Sequence, residues 1–274
     1  MRGDWELVDN KTKLEFILEG VVDMIIDCDT HISPIAEDGI GVSGKELVAR
    51  MDRSGIDKAL SWPFYPYQRE RLPEYCEYVY KSAKAFPDRL LGFGWIDPML
   101  GIDHAVNLTK KCMEEFGLYG VKLHGSRNPY RYDDLKLLTP IVDVIAKAGG
   151  MVTMHCSDDA PSRVHPYFAK TLAEYYPETI FMMIHMGGDE LCDCAFEVAE
   201  QLPNVYLVGS HLSAPSIVKG INKIGPDKIC FGSDTPFNLT HVEVASYNAL
   251  LSDFSPQIQE KVMGGNIARV LKLN

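Results

Sequence analysis

Asp27, Asp29 and His31 close an apolar run, Met24-Ile-Ile-Asp27-Cys28-Asp29-Thr30-His31. On an extended strand alternate side chains share a face, so two carboxylates and an imidazole stand in one row, with Ile26, Cys28 and Thr30 opposite. Burying such a row is costly unless a cation sits among the oxygens, and a divalent metal ion is the simplest candidate. Polar groups close four later apolar runs as well: Lys122-Leu-His124, Thr153-Met-His155, Ile184-His185-Met-Gly-Gly188 and Gly232-Ser-Asp234. Four of the eight histidines thus fall at the end of an apolar run. One such histidine alone is ordinarily a satisfied core or loop residue. Five polar ends meeting at one point would leave several desolvated donors and acceptors side by side, which argues for a shared ligand.

The elements that would bring these ends together are legible in the pattern. From Met24 on, short apolar runs alternate with longer amphipathic ones, the signature of βαβ units and a parallel sheet. The expected strands are Met24-Thr30, Lys58-Pro63, Leu90-Ile96, Tyr119-His124, Met151-His155, Thr179-His185, Asn204-Val208 and Lys228-Gly232. Ser43-Gly-Lys-Glu46 reads as a capping box with Gly55 as the stop, and Pro140 and Pro166 read as first-turn residues of two further helices. Eight strand-helix units without a Gly-rich phosphate turn after the first strand predict one α/β domain, a (β/α)8 TIM barrel over residues 23–274. In such a barrel the active site lies at the C-terminal strand ends, where the polar groups fall. Residues 1–22 form an N-terminal extension, read either as a hairpin or as a strand followed by a helix.

Composition bounds the partners. A length of 274 residues suits a single barrel, and 27 Lys+Arg against 38 Asp+Glu give a net charge of -11. That balance opposes nucleic acid and anionic membranes as partners. No apolar run reaches a membrane span and the start lacks a signal-peptide core, so a cytoplasmic protein is expected. The seven cysteines lack zinc-finger spacing; Cys192 and Cys194 read as ordinary helix positions.

The Asp27-x-Asp29-x-His31 start, Gly120-Val-Lys-Leu-His124, Met151-Val-Thr-Met-His155, Ile184-His-Met-Gly-Gly188, Phe231-Gly-Ser-Asp234-Thr-Pro-Phe237 and Gly265-Asn-Ile-Ala-Arg-Val-Leu271 together resemble the amidohydrolase superfamily. More narrowly they are similar to the branch that contains aminocarboxymuconate-semialdehyde decarboxylase, γ-resorcylate decarboxylase and many small hydrolases. The resemblance implies metal ligands at Asp29, His31, His155 and Asp234. Asp29 is a shorter carboxylate than the His or Glu usual at its position. Asp234 would also handle a proton, and His185 would stand beside the metal-bound water as a base. Two imidazoles and two carboxylates suit one Zn²⁺, with Mn²⁺ as the alternative, and such an ion brings the pKa of bound water towards ~7.

The implied activity is a metal-dependent hydrolase of a small ester, lactone or amide, favoured by short loops over the barrel mouth. The alternative is nonoxidative decarboxylation of an aromatic or unsaturated carboxylic acid, and relatives suggest a homodimer. Lys122 stays open between a substrate contact, a carboxylated bridge between two metals and a salt bridge to Asp27. His124, Arg127 and Arg163 are candidates for substrate binding, the arginines because a guanidinium can hold a carboxylate bidentately. Trp62, Phe64, Tyr65 and Tyr67 after the second strand are candidates for a pocket wall.

Overall fold

The structure is a computed structural model that describes residues 24–36 and 39–273. Its strands are β1 (Ile26–Ile32), β2 (Lys58–Pro63), β3 (Leu90–Trp95), β4 (Gly120–Leu123), β5 (Met151–His155), β6 (Phe181–Ile184), β7 (Val205–Val208) and β8 (Ile229–Cys230). All neighbours pair in parallel in the order β1 to β8. The ring is closed between its first and last members: Cys28 N–H donates to Phe231 O (3.0 Å), His31 N–H donates to Thr235 O (2.7 Å), and Thr30 bridges Thr235. Helices alternate with the strands, so the chain is a single-domain (β/α)8 barrel, as the alternating pattern predicts. The expected extension over residues 1–22 lies outside the described residues.

Each strand is an apolar run because it is buried on both faces, between the barrel interior and the helical layer. The helices are α1 (Gly44–Ser54), α2 (Leu72–Ala85), α3 (Ile102–Lys110), α4 (Leu135–Lys147), the single turn α5 (Pro161–Val164), α6 (Pro166–Tyr175), α7 (Gly188–Gln201), α8 (Ala214–Ile224), α9 (Thr240–Leu251), α10 (Pro256–Glu260) and α11 (Asn266–Leu271). The α1 capping box forms as its spacing predicts, with Ser43 Oγ accepting from Glu46 N–H and Gly55 in the left-handed region at φ 70°. Cys192 and Cys194 lie within α7. Pro140, by contrast, is not at a helix start. Asp134 caps α4 by accepting from Leu137 N–H (3.1 Å), so the helix begins five residues earlier and carries the proline inside it. A side chain that satisfies an orphan N–H outweighs the first-turn preference of proline here.

Four strands, β3, β4, β6 and β8, end one or two residues sooner than expected, and the endings of β6 and β8 bear on the site. β6 stops at Ile184, and His185 and Met186 turn left-handed at φ 69° and 48° before Gly187 at 90°. β8 pairs through only two residues, after which Phe231 to Thr235 run along β1 and Asp234 adopts φ 56°. Left-handed backbone at non-glycine residues is uncommon and strained, and such strain gathers at functional sites. Among the described residues no helix is long and apolar enough to cross a membrane.

Candidate metal centre

Asp29 is fully buried at the C-terminal half of β1. Its Oδ2 accepts from Ser210 Oγ (2.6 Å), whereas among the described residues its Oδ1 has no hydrogen-bond partner. Asp29, His185 and Asp234 each offer one ligand atom, and those atoms lie within 4.8 Å of one another, all from buried residues. The left-handed turns described above carry two of the three side chains to this point. His185 Nδ1 lies 3.1 Å from Ser210 O; donation there leaves Nε2 with its lone pair. An orphaned buried carboxylate oxygen with a second carboxylate and an imidazole at hand is a donor set that fits a divalent cation of the Mn²⁺ or Zn²⁺ kind.

His185, expected as a base, thus stands among the candidate ligands, while the two histidines expected as ligands, His31 and His155, are placed differently. His31 Nε2 is 3.4 Å from Asp234 Oδ1 and 3.7 Å from Asp29 Oδ1, so it stands against the trio. The same atom accepts from the Trp62 indole N–H at 3.2 Å, a contact that ligation through Nε2 would displace. His155 Nε2 pairs with Asp159 Oδ1 at 3.1 Å, and its ring stacks on His124 with centroids 3.8 Å apart. Burial pushes the His155 imidazole down to about 4. Asp159 goes to about 2: burial works against ionisation there, but hydrogen bonds from His155 and Ser126 and the fields of His155 and His185 outweigh it. For Asp234, burial is likewise outweighed by His31 and by the fields of His185 and Lys122, and its carboxyl is held below the usual range.

Lys122, on β4, is buried with its Nζ 4.2 Å from the centre of the Trp62 ring. Among the described residues it makes no salt bridge to Asp27, which instead accepts from Asp29 N–H (3.1 Å) and Ser233 N–H (2.9 Å). Burial lowers the Lys122 pKa, opposed by Asp29 and Asp234, and burial raises that of Asp27 to about 7. His124 is held neutral by burial beside His155, and its Nδ1 accepts from Arg127 N–H (3.2 Å). The Arg127 guanidinium lies over Tyr65 at 5.2 Å and faces the cavity. Arg163 does not: its guanidinium donates to Gly125 O (3.0 Å) and Ser126 O (3.2 Å), so the expected substrate contact is instead a tie between two loops. A guanidinium has five fixed donors, and backbone carbonyls here engage two of its nitrogens.

Above the trio opens a cavity of about 550 Å³. Phe64, Tyr65, Trp95 and Phe237 wall it, and Tyr67 stands at its rim, while Trp62 belongs to the barrel interior. His211, at φ 60° after β7, also lines it, as do Asp158, Asp159 and Ser126. None of these four stands out in the sequence reading. His211 had a usable signal, since it follows the β7 end as the other histidines follow theirs.

A closed ring of eight parallel strands with a carboxylate and imidazole cluster at its C-terminal rim is the architecture of a (β/α)8-barrel enzyme. Residues 26–273 match the family described as Amidohydrolase, and the chain belongs to it. It is 21% identical over 245 residues to 2-amino-3-carboxymuconate-6-semialdehyde decarboxylase of Dictyostelium discoideum, a match covering 72% of this chain and 65% of that protein. The chain therefore spans about 65% of that relative's length. Its fold resembles 2,6-dihydroxybenzoate decarboxylase from Rhizobium, with a TM-score of 0.72 at 17% identity over 91% of this chain and 99% of the other. A dihydroxybenzoic acid decarboxylase from Polaromonas sp. JS666, solved with bound manganese and the inhibitor 2-nitroresorcinol, gives 0.72 at 18% identity over 92% and 98%.

Proposed function

We propose that this amidohydrolase-superfamily enzyme is a metal-dependent carboxy-lyase that removes carbon dioxide from an aromatic or unsaturated carboxylic acid. The observation that carries the reading is one cavity joining His185 and Asp234, with Asp29 buried against them, to a wall of aromatic rings, a shape suited to a planar acid. The relatives, decarboxylases by name, favour this lyase over the hydrolase that short loops alone suggest. In the proposal Asp29, His185 and Asp234 hold one divalent ion, with His31 beside them, and manganese is preferred to zinc because one neighbour contains it. Such an ion, when bound, supplies positive charge that stabilises the anion developing as the carbon-carbon bond breaks.

The chain's own groups would carry the rest. For a hydroxybenzoate, Asp234 accepts the proton of the ring hydroxyl and passes it to the ring carbon that bears the carboxylate. The bond to the carboxyl carbon then breaks, carbon dioxide leaves, and the electron pair returns through the ring to the phenolic oxygen. Arg127 and Lys122 offer cationic contacts to the acid, and the aromatic wall keeps water from the reacting carbon. The test is a panel of ortho-hydroxybenzoates, esters and lactones given to manganese-loaded enzyme, with carbon dioxide and hydrolysis products measured together. One carbon dioxide per acid consumed is the expected result; hydrolysis of an ester or lactone with no carbon dioxide from any acid would overturn it.

A further inference from the structure

A buried polar network stands behind the cavity wall, and neither the metal cluster nor the proton path uses it. Its hub is Asp97, immediately past β3 and 1% exposed. Asp97 Oδ2 accepts from Tyr65 Oη (3.0 Å), Asn128 Nδ2 (2.9 Å), Arg69 Nε (2.9 Å) and Arg69 Nη2 (2.5 Å), and Oδ1 accepts from Met99 N–H (2.9 Å). Asn128, wholly buried, turns its Oδ1 to the Trp95 indole N–H (3.2 Å) and its amide to Tyr65 Oη (2.7 Å). Two rings of the wall are thus tied at their polar ends to one carboxylate, Tyr65 directly and Trp95 through Asn128, with centroids 5.1 Å apart. Trp95 in turn stacks on His124 at 5.1 Å and 18°, and His124 on His155. A carboxylate that meets four donors on one oxygen is engaged for geometry rather than for proton transfer, since it faces neither the cavity nor the trio.

We propose that Asp97 is a positioning residue for substrate selection: through Asn128 and Tyr65 it locks Trp95 and Tyr65 as a rigid face against which a planar, conjugated acid packs, in preference to a puckered, saturated one. The inference deepens the proposed function and rests on its choice of substrate class. Fixed rings cost no further ordering when a flat ligand arrives, so locking them adds to affinity for that shape. Flat rings lose more than saturated ones when the face is loosened. That difference separates a positioning role from a structural one.

The experiment uses the manganese-loaded protein and two probes of one charge, 2-hydroxybenzoate and 2-hydroxycyclohexanecarboxylate, with Kd measured by calorimetry and carbon dioxide release measured in parallel. Wild type should prefer the aromatic acid, and Asp97→Asn should narrow that preference by roughly five- to tenfold, the size of one lost ring contact. Trp95→Phe keeps a ring but removes the indole donor, and should narrow it in the same direction even if Asp97→Asn folds poorly. The double change Asp97→Asn with Asn128→Asp, which returns a carboxylate to the network, should recover part of it. Equal preference in wild type and in a folded Trp95→Phe protein would overturn the inference. Aromatic preference that depends on Asp97 without any carbon dioxide release would uphold the positioning role while removing the decarboxylase reading.

Discussion

At the scale of single residues, Asp234 and Asp27 behave oppositely although both are buried carboxyls in the same ring. Asp234 has imidazole and ammonium fields around it and stays ionised, so it can take and return a proton; Asp27 is pushed up to about 7 by burial, which outweighs the hydrogen bonds it receives from Ser233 and Asp29. Asp234→Asn is expected to lower kcat by about a thousandfold, the size of a lost general acid-base group, with folding intact by circular dichroism. Full turnover in that variant would remove Asp234 from the proton path. For Asp27 the sign follows from the raised pKa: the native state holds a proton that the unfolded chain releases near 4. Its contribution is complete below about 4 and is lost as pH rises to about 7. In chelator-treated protein, Asp27→Asn should therefore gain stability on wild type between pH 5 and 8, by an amount of order a few kcal/mol. Urea melts at both pH values check it, and a parallel pH dependence in the two proteins would refute it. Side-chain pairings of this kind were not legible in the sequence. That His31 meets Trp62, or that Arg163 meets two carbonyls, depends on contacts made by tertiary packing across 31 to 38 positions of chain.

At the scale of elements, the strands and their order were legible because each is a short apolar run between amphipathic ones, buried on both faces. The ends were less so. A left-handed turn at His185 leaves no hydrophobic periodicity behind, and Gly187-Gly188 after it was the available sign. Pro140 lies inside α4 rather than in its first turn because the Asp134 cap, six residues before it, starts the helix earlier. The turn after β6 gives a paired test. Gly187 sits at φ 90° with Pro166 and Leu191 close to where a Cβ would be, whereas Gly55 at φ 70° has nothing within 4 Å. Each change to alanine should cost about 1–2 kcal/mol for its left-handed backbone. Gly187→Ala alone should also displace His185 and cut both metal content and turnover. Equal activity in the two variants would show that the turn does not place His185.

At the scale of the whole molecule, an ion held by Asp29, His185 and Asp234 would bind the folded chain and not the unfolded one. Free manganese at a hundred times its Kd should then add roughly 2.7 kcal/mol, read as a rise in Tm of roughly 5–10 °C for a domain of this size. Chelation should reverse the rise, and Asp234→Asn should abolish it. A Tm indifferent to metal in the wild type would argue against the proposed ligand set. The net charge of -11 adds a general attraction for cations but no selectivity, so the comparison with Asp234→Asn is the informative one.

The short pairing of β8 has a mechanical consequence. The join between last and first stave has two main-chain hydrogen bonds and one bridge, against four paired positions between β4 and β5, and Asp29 and Asp234 stand on its two sides. An ion gripped by both would act as a clasp across this thin seam. The amides of Cys28 and His31, which stitch that seam, should exchange with deuterium faster than those between β4 and β5, and slow most when manganese is added.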